Sequence, residues 1–106
     1  MILTTTDTIP GKKIVEILGL VRGSTIRAKH VGKDIMAGFK TLIGGEIKGY
    51  TEMLNEAREQ AMERMKEEAK KVNADAIIEI RLGTSNVMQG AAEVLAYGTA
   101  VKIKKE

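Results

Sequence analysis

Apolar residues recurring every 3.6 positions constrain this chain more than any other feature. Leu54, Ala57, Ala61, Met65, Ala69 and Val72 form one stripe, the spacing that gathers side chains on one face of an α-helix. That spacing predicts a helix over 51–72. Thr51 stands where it would cap the first amides, and Glu52 and Glu56 suit the positive end of the helix dipole. Lys70 and Lys71 suit the negative end, and Asn73 follows where a left-handed residue closes a helix. Glu56, Glu59, Glu63, Arg64, Glu67, Glu68 and Lys71 read as a solvated face laced with pairs three and four apart. A shorter stripe of Ile35, Met36, Phe39, Leu42 and Ile43 predicts a second helix over 31–43, ended by Gly44-Gly45.

Around these helices the pattern is that of strands. Thr8-Ile9-Pro10-Gly11 is a turn signal between a short strand at 2–5 and a longer one at 13–26. Residues 14–21 are almost continuously apolar, whereas a strand covered on one face alternates. Both faces of this strand are therefore expected to meet something, and a partner subunit is the simplest supplier. A third strand at 76–82 alternates, with Ile78, Ile80 and Leu82 on one face and Glu79 and Arg81 on the other. A turn at Gln89-Gly90 leads into a last strand at 93–104. There Leu95, Tyr97, Thr99, Val101 and Ile103 share one side. Val94, Ala96, Gly98 and Ala100 make a small-residue stripe on the other, expected to receive a neighbouring subunit. The fold class is α+β, an antiparallel sheet packed on one long and one short helix.

With 106 residues, a single domain spanning 1–106 is expected. Cysteine is absent, so disulfides, thiolate metal sites and cysteine nucleophiles are excluded. The first residues lack the basic-then-apolar order of a secretory signal, and no apolar run approaches the ~18 residues of a membrane helix. The expectation is a cytoplasmic protein with no membrane partner. The net charge of +3 is small. Although residues 8–49 carry eight basic groups against three acids, neither a run of aromatics nor a recognition helix accompanies them, so nucleic acid is not the expected partner.

An ordered set of short motifs points to a family. Leu20-Val21-Arg22-Gly23, Gly44-Gly45-Glu46, Tyr50 with Leu54, Ala57-Arg58, Arg64-Met65, Ala74-Asp75-Ala76 and Tyr97-Gly98-Thr99-Ala100-Val101 resemble, in order and spacing, the YbjQ-like family across essentially the whole chain. The resemblance implies a small bacterial or archaeal cytoplasmic protein, related in fold to dodecin subunits and assembled as a homopentamer whose strands contribute to the ring. It also brings a label of heavy-metal binding, with no agreed activity and no agreed catalytic residues. Asn73 replaces a common glycine and Leu82 a common aromatic, and neither change threatens the fold.

The metal label is poorly matched by the residues. Soft metals favour thiolate, thioether and imidazole, yet the chain offers one histidine, His30, and six methionines. Met62 and Met65 are one helical turn apart, the spacing of core filler. Catalysis has no better footing, with no nucleophile elbow and no phosphate loop, so the chain is not expected to be an enzyme. What stands out is charge in apolar or glycine-rich settings: Arg22, Glu46, Arg58 and Glu93. Such charges either pair structurally at a subunit contact or meet a ligand. The candidate ligand-binding set is Arg22, Glu46, Arg58 and Tyr97, a ring with a hydroxyl beside forks suited to carboxylate or phosphate, hence a small anionic metabolite. No cofactor is identified. The functional expectation is a homo-oligomeric binding or scaffold module with a small-ligand site between subunits, with divalent heavy-metal binding as the alternative.

Overall fold

A computed structural model describes residues 1–28 and 48–106. The strands are β1 (Ile2–Leu3), β2 (Lys12–Ala28), β3 (Ala76–Met88) and β4 (Ala91–Lys105), and helix α1 spans Lys48–Lys71 between β2 and β3. The expected short helix at 31–43, Glu46 and His30 lie outside the described residues.

The long helix forms on four residues of the predicted stripe, Ala57, Ala61, Met65 and Ala69, while Leu54 is only half-buried and Val72, past the helix end, is exposed. Met53, Ala57, Ala61, Met65 and Ala69 are buried against the sheet, each four residues from the last, so one narrow face carries the contact. The helix begins at Lys48 rather than at 51, which puts Thr51 inside the first turn instead of at the cap, and that turn contains no acid. Its C-terminus is as expected. Asn73 has φ 60°, and the amides of Asn73 and Ala74 donate to the carbonyls of Lys70 and Ala69, both at 3.0 Å. This Schellman closure satisfies two carbonyls the helix would otherwise strand. In the last turn Glu68 accepts a hydrogen bond from Lys71 at 2.9 Å, and that bond, then its charge, holds the Lys71 amine above the ordinary lysine range.

The sheet order is β1-β3-β4-β2. β4 lies antiparallel to both β2 and β3, but β1 runs parallel to β3. The sheet is therefore mixed, and the wholly antiparallel expectation is corrected by this one short strand. The β3–β4 hairpin closes on the two residues Gln89 and Gly90, with Met88 opposite Ala91 and Gly90 at φ 78°. Thr8–Gly11 is a turn as predicted, the Lys12 amide donating to the Ile9 carbonyl at 3.0 Å.

Two corrections concern faces. The stripe expected to meet a neighbouring subunit is instead the seat of α1. Val94, Ala96 and Ala100 are fully buried in one cluster with the helix alanines and Met65. Small residues on both sides let the helix approach closely. At Gly23 on β2 an added Cβ would strike the Ala61 carbonyl oxygen and the Met65 amide of the helix backbone. Second, the continuous apolar run of β2 owes part of its pattern to register shifts at 14–16 and 17–19. Leu18 packs on the helix side, while Ile14 joins a second cluster of Ala76, Ile78 and Val101, covered by Ile9. The register places that cluster on the other face of the sheet. Past Leu20 the strand alternates cleanly, Val21, Gly23 and Thr25 inward, Arg22, Ser24 and Ile26 outward.

Candidate functional site

Among the described residues, little covers the face of the sheet away from α1. Ile17 is 71%, Leu20 70%, Ile26 63% and Tyr97 40% exposed. At its centre Tyr97 on β4 has Arg22 of β2 as its direct cross-strand partner on one side and Arg81 of β3 on the other. The row toward one end is Leu20, Thr99 and Ile78, and toward the other it is Ser24, Leu95 and Gly83. Direct partners across antiparallel strands have Cβ atoms about 5 Å apart, so an arginine stem stands on each side of Tyr97, although the Arg81 guanidinium reaches back toward Thr5 on the β1 side of β3. No carboxylate occupies either adjacent row.

The position of Arg81 depends on a bulge. Ile78 pairs with Thr99, but the next partnership is Arg81 with Tyr97, one residue later than an unbroken ladder would give. Unbroken pairing would put Ile80 opposite Tyr97 and turn Arg81 toward the helix. The extra residue sends Ile80 into the helix-side cluster and Arg81 to the open face. Glu79 holds the bulge at φ 56°, a left-handed angle that non-glycine residues seldom take. The bulged amides are not orphaned, because Glu79 and Ile80 donate to the carbonyls of Thr6 and Thr4, both at 3.1 Å. Arg81 Nη1 donates to the Thr5 carbonyl at 3.0 Å and the Ile80 carbonyl at 2.8 Å. Arg81 was missed in the sequence because simple alternation keeps Ile78 and Ile80 on one face, and no residue in 76–82 signals the shift.

Of the candidate ligand set, the structure brings together Arg22 and Tyr97. Arg58 is half-buried on α1, on the other side of the sheet, its Nη1 donating to Asn55 Oδ1 at 2.9 Å. Within one chain it does not join the other two. Glu93 shares the open face, two rows from Tyr97. The ion pairs among described residues are Arg27–Glu56, Lys66–Glu63, Lys71–Glu68 and Lys102–Asp75. None includes Arg22, Arg58, Arg81 or Glu93, and Arg22 is exposed rather than buried.

A second polar feature lies between β2 and α1. The buried Thr25 hydroxyl donates to Gln60 Oε1 at 2.8 Å, and Arg27 Nη2 donates to the same oxygen at 3.0 Å. Asn55, Glu56, Glu59 and Glu63 extend it as a shallow, open groove. Among the described residues no three His, Cys, Asp or Glu side chains are grouped as metal ligands. Met65 is fully buried and Met62 packs on the same cluster, the core role their spacing suggested. No described helix is long and apolar enough to cross a membrane.

A family model described as "Putative heavy-metal-binding" matches residues 1–104. Proteins named UPF0145 are similar throughout. That of Thermosipho africanus is 64% identical over 105 residues, 99% of this chain and 97% of its own. That of Thermotoga maritima is 61% identical over 105 residues, covering 99% of each, and that of Archaeoglobus fulgidus is 59% identical over 104 residues, 98% of this chain and 96% of its own. A crystal structure of a protein of unknown function in the DUF74 family, from Pediococcus pentosaceus, superposes with a TM-score of 0.61 over 98% of both chains at 20% identity. That likeness establishes the fold.

Proposed function

The chain belongs to the YbjQ family, and from that footing we propose that it is a cytoplasmic homo-oligomeric binding module, without a catalytic step, whose small-ligand site lies on the open sheet face between subunits. The observation that carries this reading is the placement of Arg22 and Tyr97 amid exposed Leu20 and Ile26. Large apolar side chains exposed around a polar centre mark an interaction surface in soluble proteins. Among the described residues β2 is an edge strand of 17 residues, and an edge of that length invites pairing with another chain. The Cα radius of gyration is 17.5 Å, against about 13 Å for a compact domain of 100 residues, which suits a protomer designed to pack on its own copies. The ring of five is the count the family resemblance implies.

In such an assembly Arg58 reaches the site from a neighbouring copy, because its own sheet separates it from Tyr97. Light scattering coupled to size exclusion tests the assembly, with a multiple of the 11.5 kDa chain mass expected. A single-chain mass at micromolar concentration overturns it. Native mass spectrometry of protein taken directly from lysate tests for a retained small anion.

The family description favours heavy-metal binding as a second reading. Calorimetry with zinc, copper and nickel separates the two. No saturable heat is expected. A dissociation constant tighter than about micromolar, abolished by His30→Ala, would establish the metal instead.

A further inference from the structure

We infer that the Arg22–Tyr97–Arg81 row binds a flat ring carrying a phosphate monoester, with Arg81 as a binding residue. The inference rests on the open face being a ligand site, though not on the number of subunits.

The bulge at Glu79 is the first ground. It places a residue in a disfavoured backbone angle, and the register consequence is that an arginine replaces an isoleucine beside Tyr97. Strain of this kind concentrates where a site must be shaped, and bulges recur where a side chain has to be re-aimed. An apolar subunit contact would be served better by Ile80 at that position.

The second ground is the donor count. Arg81 Nη1 donates to two backbone carbonyls, which leaves three of its five N–H groups uncommitted. Arg22 is in no hydrogen bond or ion pair with a described side chain. Strands two positions apart in a sheet are separated by roughly 10 Å, so Arg22 can reach over the Tyr97 hydroxyl from one side, and Arg81 reaches it from the other by exchanging the Thr5 carbonyl for the ligand. A single carboxylate would neutralise one guanidinium and leave the other unmatched. A phosphate monoester brings a charge of about −1.5 to −2 and three acceptor oxygens, enough for both forks. Leu20, Leu95 and the Tyr97 ring supply the apolar floor on which an attached ring can lie.

The chain has two tyrosines and no tryptophan, so Tyr50→Phe makes Tyr97 the single fluorophore. The probe is 4-nitrophenyl phosphate, whose absorption overlaps tyrosine emission and quenches it on binding. Saturable quenching with a dissociation constant below about 1 mM is expected, together with weakening of about fivefold or more in both Arg22→Gln and Arg81→Gln. Inorganic phosphate should compete weakly, and 4-nitrobenzyl alcohol, the ring without the charge, should not. Arg81→Lys, which keeps the charge but loses the fork, should fall between wild type and Arg81→Gln. If Arg81 only tethers Thr5, Arg81→Gln lowers the thermal midpoint and leaves quenching unchanged, and the assignment is overturned. Arg22→Gln sits on an exposed strand position and keeps the test open should Arg81→Gln fold poorly. Absence of saturation to about 10 mM, or equal binding of the uncharged ring, overturns the ligand class. Light scattering on the same samples separates this result from the assembly, since an oligomer that fails to bind refutes this inference alone.

Discussion

Glu79 occupies a backbone angle that costs an L residue about 1–2 kcal/mol, and the surroundings compensate through the Thr4 and Thr6 carbonyls. Glycine takes this angle freely but loses more entropy on folding. Glu79→Gly is therefore expected to stabilise the protein by about 0.5–1 kcal/mol, read as a higher denaturation midpoint at constant m-value. A lower midpoint would show that the Glu79 side chain contributes more than its angle costs. Gly23 presents the opposite case. Its φ is ordinary, but any Cβ would meet helix backbone at Ala61 and Met65, and backbone cannot rotate aside as a side chain can. Gly23→Ala should destabilise by about 3 kcal/mol, with loss of the α1–β2 contact visible as early melting of helical circular dichroism.

At the scale of elements, the contact between α1 and β4 is built from small residues on both surfaces. Ala96 is fully buried beneath the helix, so Ala96→Glu places an unpaired charge in the core of one chain, a cost of several kcal/mol. The expected outcome is loss of the folded chain itself. An intact monomer in which only association was lost would return this stripe to the subunit interface. The legibility of each element follows from the strength of its own pattern. Helix α1 was readable because four buried residues share one stripe, and its closure because Asn73 is one of the few residues that tolerate the left-handed angle. Its start was misplaced by three residues because Lys48, Gly49 and Tyr50 extend the helix with no capping side chain to mark the boundary. β3 runs to Met88 instead of stopping at 82, since residues 83–86 are Gly, Thr, Ser and Asn, and pairing with β4 rather than a buried face makes them a strand.

For the whole molecule, the exposed apolar residues of the open face and the β2 edge, as they stand among the described residues, set the expectations. Ile17, on that strand, is 71% exposed in the isolated chain, so Ile17→Asp removes nothing from the core. It should lower the mass seen by light scattering toward that of one chain while leaving helical content unchanged. A fully assembled variant would exclude this part of β2 from the contact. The sequence by itself determined the α+β class, the long helix with its closing Asn73, and the turns at Thr8–Gly11 and Gln89-Gly90. All of these are written in local periodicity and in residues with restricted backbone angles. Only the tertiary structure decided that β1 joins β3 in parallel, that the small-residue stripe seats the helix, and that Arg81 rather than Ile80 stands beside Tyr97. Each of those depends on register between strands distant in sequence. A shift of one residue there exchanges the two faces of a strand without changing a letter of its pattern.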